Sequence, residues 1–95
     1  MSEQINHLLK FVETSRCAFI RNGTERDSEA AARHIQKKYD YFRSDIHSAE
    51  DFIELAATKS LLTGRPYLVR CGARQAIPAA DWLRAQLAAY RKGRK

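Results

Sequence analysis

Apolar positions near the start of the chain repeat at helical spacing. Four of them fall on one face of a helix: Ile5, Leu8, Leu9 and Val12. Ser2 is a suitable capping residue at the start of this helix. Between Ser15 and Arg21 the pattern fits either a continued helix or an extended segment. Asn22 and Gly23, which both tolerate positive φ, end whichever of the two forms.

Two further helical patterns fill the middle of the chain. The second helix is predicted to begin at Asp27 or Ser28. Its core side has three apolar residues: Ala31, Ile35 and Phe42. The third helix is predicted to begin at Ser48, with Asp51 as an acid at its third helical position, and to end near Ser60. Its buried stripe has four residues: Phe52, Ile53, Ala56 and Ala57.

The strongest strand signal comes after the third helix. Residues 66–71 are rich in strand-forming side chains, and residues 72–74 can turn the chain into a short partner strand at 75–77. Pro78 is suited to the start of a fourth helix, which Gly93 ends. The predicted fold is therefore α+β and mainly helical, with about four helices and one small β-hairpin between the third and fourth.

The length and charge of the chain narrow the classes of protein further. With 95 residues, it forms one domain over 1–95 and is too short for a Rossmann or barrel fold. It contains no apolar run of about 20 residues, so no transmembrane segment is predicted. The formal net charge is +6, and four basic residues lie in the last five positions. We expect residues 91–95 to form a basic, mobile tail, and we expect no specific nucleic-acid partner.

The sequence contains no motif that identifies a reaction. Its histidines, His7, His34 and His47, are not spaced for a metal site, and neither cysteine lies near one of them. It also contains neither a nucleophile elbow nor a phosphate loop. We therefore predict no catalytic residue, no metal and no cofactor. Cys17 and Cys71 are either a disulfide or two separate thiols, and their spacing does not decide between these.

One group of polar residues is a candidate ligand site. His34 and Lys38 are one helical turn apart, so their side chains can converge beside the turn that contains Arg21, Asn22 and Gly23. Together with the turn's backbone N–H groups, they could bind an anion. Ser60 completes the candidate set. In the alternative interpretation, His34 is a core residue and the stem of Lys38 is buried along the surface.

The same residues carry a resemblance to a known family. Its segments are Ser15–Gly23, Ala31–His34, Lys38, Ala49–Ile53, Ser60 and Gly64–Tyr67. Together they resemble the YfeK-like proteins, a bacterial family of small exported domains, over roughly residues 5–91. The resemblance implies a periplasmic location, a mature form from which a signal sequence has been removed, and a disulfide between Cys17 and Cys71. It implies no activity, substrate or cofactor.

Three functions remain open after the sequence analysis. The first is a non-enzymatic periplasmic module that binds a protein, a peptide or an anion of the cell envelope. The second is a small basic nucleic-acid-binding protein. The third is a minor enzyme that uses His34 as a general base. The sequence favours the first, and it indicates no oligomeric state.

Overall fold

In a computed structural model, which describes residues 2–59 and 63–93, four helices pack with one small sheet. The elements in chain order are α1 (Ser2–Thr14), β1 (Ala18–Arg21), β2 (Thr24–Arg26), α2 (Ser28–Tyr41), a 3₁₀ turn (Arg43–Asp45), α3 (Ala49–Ala56), β3 (Leu68–Arg70), β4 (Ile77–Pro78) and α4 (Ala79–Gly93). This order confirms the α+β, mainly helical class. Within the described residues, none of these helices is both long and apolar enough to cross a membrane.

Side-chain caps define where two of the helices begin. The Asp27 carboxylate accepts a hydrogen bond from the backbone N–H of Ala30 at 2.8 Å, which makes Asp27 the cap of α2. The Ser48 hydroxyl oxygen accepts one from the backbone N–H of Asp51 at 3.1 Å. Each bond satisfies a donor that the first helical turn leaves without a backbone partner.

The third helix ends at Ala56, before the predicted end near Ser60, which lies outside the described residues. The reason is a competing backbone pairing directly after the helix. The carbonyl oxygen of Thr58 accepts a hydrogen bond from the N–H of Tyr67, and Lys59 forms a bridge with Pro66. The chain therefore becomes extended where the apolar spacing alone would continue the helix.

The sheet is larger than the sequence analysis predicted. Its four antiparallel strands lie in the order β2-β1-β3-β4. The predicted hairpin is present as β3 and β4, and a second hairpin, β1 with β2, adds to it. Asn22 (φ 53°) and Gly23 (φ 80°) connect the second hairpin. Two consecutive residues with positive φ match the twist of the strands, so Asn-Gly is a preferred two-residue hairpin turn.

The core lies between the sheet and the helices. Its largest fully buried side chains are Phe52, Ile5, Leu8, Ile53, Leu83, Val12 and Val69. Phe19 on β1 and Val69 on β3 are paired across the sheet and both point inwards. The Phe19 ring meets Trp82 of α4 edge to face, with 5.5 Å between ring centres. Residues on this inner face of the sheet are therefore those that can meet the helices.

A pair of cysteines ties β1 to β3. The sulfurs of Cys17 and Cys71 are 2.03 Å apart, at disulfide distance, and their Cα atoms are 4.4 Å apart. The pair lies directly next to the Ala18–Arg70 pair of the two strands. This is the pairing that the family resemblance implied, and it is compatible with an oxidising compartment.

Part of the basic C-terminal segment belongs to the last helix, which extends to Gly93. The guanidinium of Arg91 donates to the Glu50 carboxylate at 2.6 Å and to the side-chain oxygen of Gln4 at 2.9 Å. Arg94 and Lys95 lie outside the described residues. The mobility of residues 91–95 stays a prediction.

Candidate functional site

The register of the sheet places Arg21 beside Tyr67. Ile20 of β1 pairs with Leu68 of β3, so the next position along β1, Arg21, faces Tyr67. Side chains alternate between the two faces of a strand. Arg21 therefore shares the inner face with Phe19, and Tyr67 shares it with Val69. Helix α2 contributes the other half of the site.

His34 and Lys38 reach this pair from one side of α2. The ammonium of Lys38 donates to the Tyr67 hydroxyl oxygen at 3.0 Å and to the backbone carbonyl oxygen of Lys59 at 2.8 Å. Nε2 of His34 lies 3.1 Å from the Tyr67 hydroxyl. Nη1 of Arg21 lies 2.9 Å from Nε2 and 3.0 Å from Nδ1 of His34. These contacts join four side chains from three parts of the chain.

Burial and the surrounding cations change the acid–base properties of this group. Lys38 is only 7% exposed and Tyr67 only 6%, whereas His34 and Arg21 are half-buried. Burial, together with the charges of Arg21 and Lys38, lowers the pKa of His34 to about 4. Burial and the Arg21 charge also lower the pKa of Lys38, and burial raises the pKa of Tyr67. His34 is therefore neutral at pH 7.

A cavity of about 260 Å³ opens beside this group, between α2 and the β1–β2 hairpin. Its charged lining consists of four basic side chains: Arg21, Arg26, Arg33 and Lys37. His34 and Tyr67 also line it, and its walls are otherwise mainly apolar, formed by residues such as Phe19, Ile20 and Ile35. None of the described residues that line the cavity is acidic. The cavity thus combines apolar walls with a positive charge.

The structure places four of the five predicted site residues, in three different positions. Arg21 and His34 line the cavity, as the anion hypothesis requires. Lys38 lies behind Tyr67, and its ammonium is buried together with the stem that the alternative interpretation placed along the surface. Asn22 belongs to the hairpin turn, where its side-chain oxygen accepts a hydrogen bond from the Thr63 hydroxyl at 2.5 Å. Ser60 lies outside the described residues.

Four residues of the site were not predicted: Arg26, Arg33, Lys37 and Tyr67. The sequence contains a signal for two of them: Arg33 and Lys37 are one helical turn apart, directly beside His34 and Lys38, so helical spacing places them on a neighbouring face. Tyr67 and Arg26 had no comparable signal, because their positions depend on strand pairing. Across the described part of the chain, no three His, Cys, Asp or Glu side chains are grouped to hold a metal ion.

Comparisons with known proteins place the chain in a family. It is 41% identical, over 49 residues, to the uncharacterised protein YfeK of Salmonella typhimurium strain LT2. This match covers 52% of the chain and 41% of YfeK, so it spans well under half of that protein. No solved structure matches the chain. Residues 1–91 match the family described as "Family of unknown function (DUF5329)", and the chain therefore belongs to this family.

Proposed function

We propose that the protein is a non-enzymatic periplasmic module that binds a small anion, or the anionic head group of a larger cell-envelope ligand, in the cavity beside His34. The observation that carries the proposal is the charge of the cavity. Four basic side chains line it, and none of its described lining residues is acidic. A concave site with one sign of charge raises the local concentration of the opposite ion.

Several basic side chains elsewhere on the protein are neutralised by a neighbouring carboxylate. Arg43, Arg70, Arg84 and Arg91 each pair with a carboxylate, at N–O distances between 2.6 and 3.4 Å. The basic residues of the cavity take part in no ion pair with the acidic residues that the structure describes. The cavity therefore holds four basic side chains that have no carboxylate partner among the described residues.

The size of the cavity supports a small ligand. Sites for drug-sized molecules usually have volumes of about 300–1,000 Å³. A cavity of about 260 Å³ is below this range, and its mouth is open to solvent. It has room for a compact anion or for the head group of a longer molecule, and its apolar walls can contact the part of the ligand next to the charge.

The acid–base properties of the site support binding rather than proton transfer. A general base at neutral pH works best when its pKa is near 7. The pKa of His34 is about 4, which makes it a weak base. Tyr67 and Lys38 are buried, and each is engaged by hydrogen bonds within the protein. The periplasmic part of the proposal rests on the cysteine pair and on the family resemblance.

Calorimetric titration with sodium sulfate at low ionic strength tests the proposal. Arg33→Gln removes a charge that lines the cavity, and we expect it to weaken binding about ten- to a hundredfold, because a hydrogen bond to a charged group contributes about 1.5–3 kcal/mol. Arg74→Gln is the matched control, since it makes the same charge change in an exposed turn away from the cavity. Equal losses in both variants, or no binding by the unmodified protein, would overturn the proposal.

A further inference from the structure

The hydroxyl group of Tyr67 determines where His34 carries its proton. The ammonium of Lys38 has only donors, so the Tyr67 oxygen accepts from it. The hydroxyl hydrogen then needs an acceptor. Arg21 has none to offer, and Nε2 of His34 lies at 3.1 Å. The Tyr67 hydroxyl therefore donates to Nε2, and the neutral imidazole carries its hydrogen on Nδ1.

This arrangement brings two donor nitrogens together. Nη1 of Arg21 is almost equally far from both ring nitrogens of His34, at 2.9 and 3.0 Å. With the hydrogen on Nδ1 and the Nε2 lone pair accepting from Tyr67, the neutral imidazole has no free in-plane lone pair for Arg21. The guanidinium therefore packs against the ring. With the hydrogen on Nδ1, Arg21 and His34 present two N–H groups 3.0 Å apart, and an oxygen that accepts from both would stabilise the pair.

We propose that Lys38 and Tyr67 act as positioning residues that hold His34 as its Nδ1–H tautomer, so that the cavity presents donors only and selects a fully deprotonated dianionic sulfate or phosphate group. This inference rests on the proposed function and adds the class of ligand to it. The charged groups that face His34 are all basic: Arg21 from β1, Arg26 from β2, and Lys37 and Lys38 from α2. Several positive charges favour a dianion over a monoanion.

The selectivity for a dianion follows because the donors of the cavity offer no acceptor for a proton on the ligand. An oxyanion that keeps a proton would turn an O–H towards N–H donors, and that O–H would lose its hydrogen bond to water without replacement. Sulfate carries no such proton at neutral or mildly acidic pH. A phosphate monoester carries one below pH of about 6, where its second ionisation takes place. The two ligands are therefore expected to respond differently to pH.

Titrations with sodium sulfate and with methyl phosphate at pH 5.0 and 7.5 test the selectivity. The pKa of His34 is about 4, so the protein's own imidazole stays mainly neutral at both values. We expect the dissociation constant for sulfate to change less than twofold. We expect methyl phosphate to bind about tenfold more weakly at pH 5.0, because only about a tenth of it is then dianionic. Binding of methyl phosphate that is unchanged or tighter at pH 5.0 overturns the inference.

Nitrogen NMR of the His34 ring tests the tautomer directly and needs no variant. We expect the Nδ1–H form in the unmodified protein. Tyr67→Phe keeps the ring and removes the hydroxyl, so we expect the Nε2–H form to increase and sulfate affinity to fall. A ring already in the Nε2–H form, in a protein that binds sulfate, overturns the inference and leaves the proposed function standing. Absence of sulfate binding overturns both.

One further titration distinguishes two sources of the dianion. Sodium sulfate tests binding of the free ion, and dextran sulfate tests the same group attached to a polymer. Tighter binding per sulfate group on the polymer would indicate that the cavity takes the head group of a larger ligand. In either case the pH response and the tautomer decide the chemistry of the site.

Discussion

The ammonium nitrogen of Lys38 lies 3.0 Å from the hydroxyl oxygen of Tyr67 and 4.9 Å from the centre of its ring, although 29 residues separate the two along the chain. Both side chains are buried. A buried cation is tolerated only where hydrogen bonds and favourable charges replace its water. Lys38 therefore ties α2, which carries His34 one turn earlier, to the segment that leads into β3.

Replacing Lys38 is expected to destabilise the fold. Lys38→Ala leaves the Lys59 carbonyl oxygen and the Tyr67 hydroxyl without their shared donor, and we expect a loss of about 1–3 kcal/mol in the free energy of unfolding. Lys37→Ala is the matched control, because Lys37 is the next residue on the same helix and is exposed. We expect its effect to stay within about 0.5 kcal/mol. Urea denaturation of both variants measures the difference, and equal effects would contradict the prediction.

Protonation of His34 is expected to make stability depend on pH. The pKa of His34 is about 4 in the folded protein and 6.5 in the unfolded chain. Between these values the unfolded chain binds more protons, so the free energy of unfolding should fall as the pH decreases from about 6.5 to 4. His34→Gln, which cannot titrate, should flatten the profile in this window. His47→Gln, at an exposed histidine, is the control. If its profile were as flat as that of His34→Gln, the pH dependence could not be attributed to His34.

Removing the cysteine pair is expected to cost a large part of the stability. The two cysteines are 54 residues apart, and closing such a loop stabilises the folded state by up to about 4 kcal/mol in the chain-entropy model. We expect Cys17→Ala with Cys71→Ala to lower the free energy of unfolding by about 2–4 kcal/mol. Reduced unmodified protein should behave similarly. Titration of the unfolded, unreduced protein that finds two thiols would show that no disulfide had formed.

The Asn22–Gly23 turn is expected to affect both stability and binding. Gly23 has a φ of 80°, which is unfavourable for a residue with a Cβ. We expect Gly23→Ala to destabilise the protein by about 1–2 kcal/mol. Because Arg21 directly precedes the turn, sulfate binding should weaken as well. Gly93→Ala is the control, since Gly93 ends α4 without positive φ and alanine favours a helix. A Gly23→Ala variant as stable as the unmodified protein would contradict the prediction that positive φ at this position requires glycine.

The four helices and the β3–β4 hairpin follow from local patterns of the sequence. The spacing of apolar residues in α1 and the caps at Asp27 and Ser48 predict helices because they depend on residues within one or two turns. The Asn22–Gly23 pair predicted an interruption, but its meaning as a hairpin turn was missed. With strands of only four and three residues, β1 and β2 are too short for alternation to distinguish them from a helix end.

The burial of Lys38 also has a local signal. Ala31 and Ile35 form the core side of α2, and Lys38 continues their spacing three residues later. A lysine at such a position interrupts an apolar stripe. Its ammonium must either reach solvent or form hydrogen bonds within the core, and the helical period predicts these two alternatives. It does not show which groups, from elsewhere in the chain, could accept hydrogen bonds from the ammonium.

The groups that accept hydrogen bonds from Lys38 are brought to it by the tertiary structure. Helical spacing places His34 beside Lys38 because both belong to one helix. Arg21 and Tyr67 meet them only because β1 and β3 pair in one register and because α2 crosses the inner face of the sheet. Strand pairing between distant segments depends on the packing of the whole core, since a shift by one residue would turn each side chain to the opposite face. The cavity and its charge therefore result from contacts that no local pattern specifies.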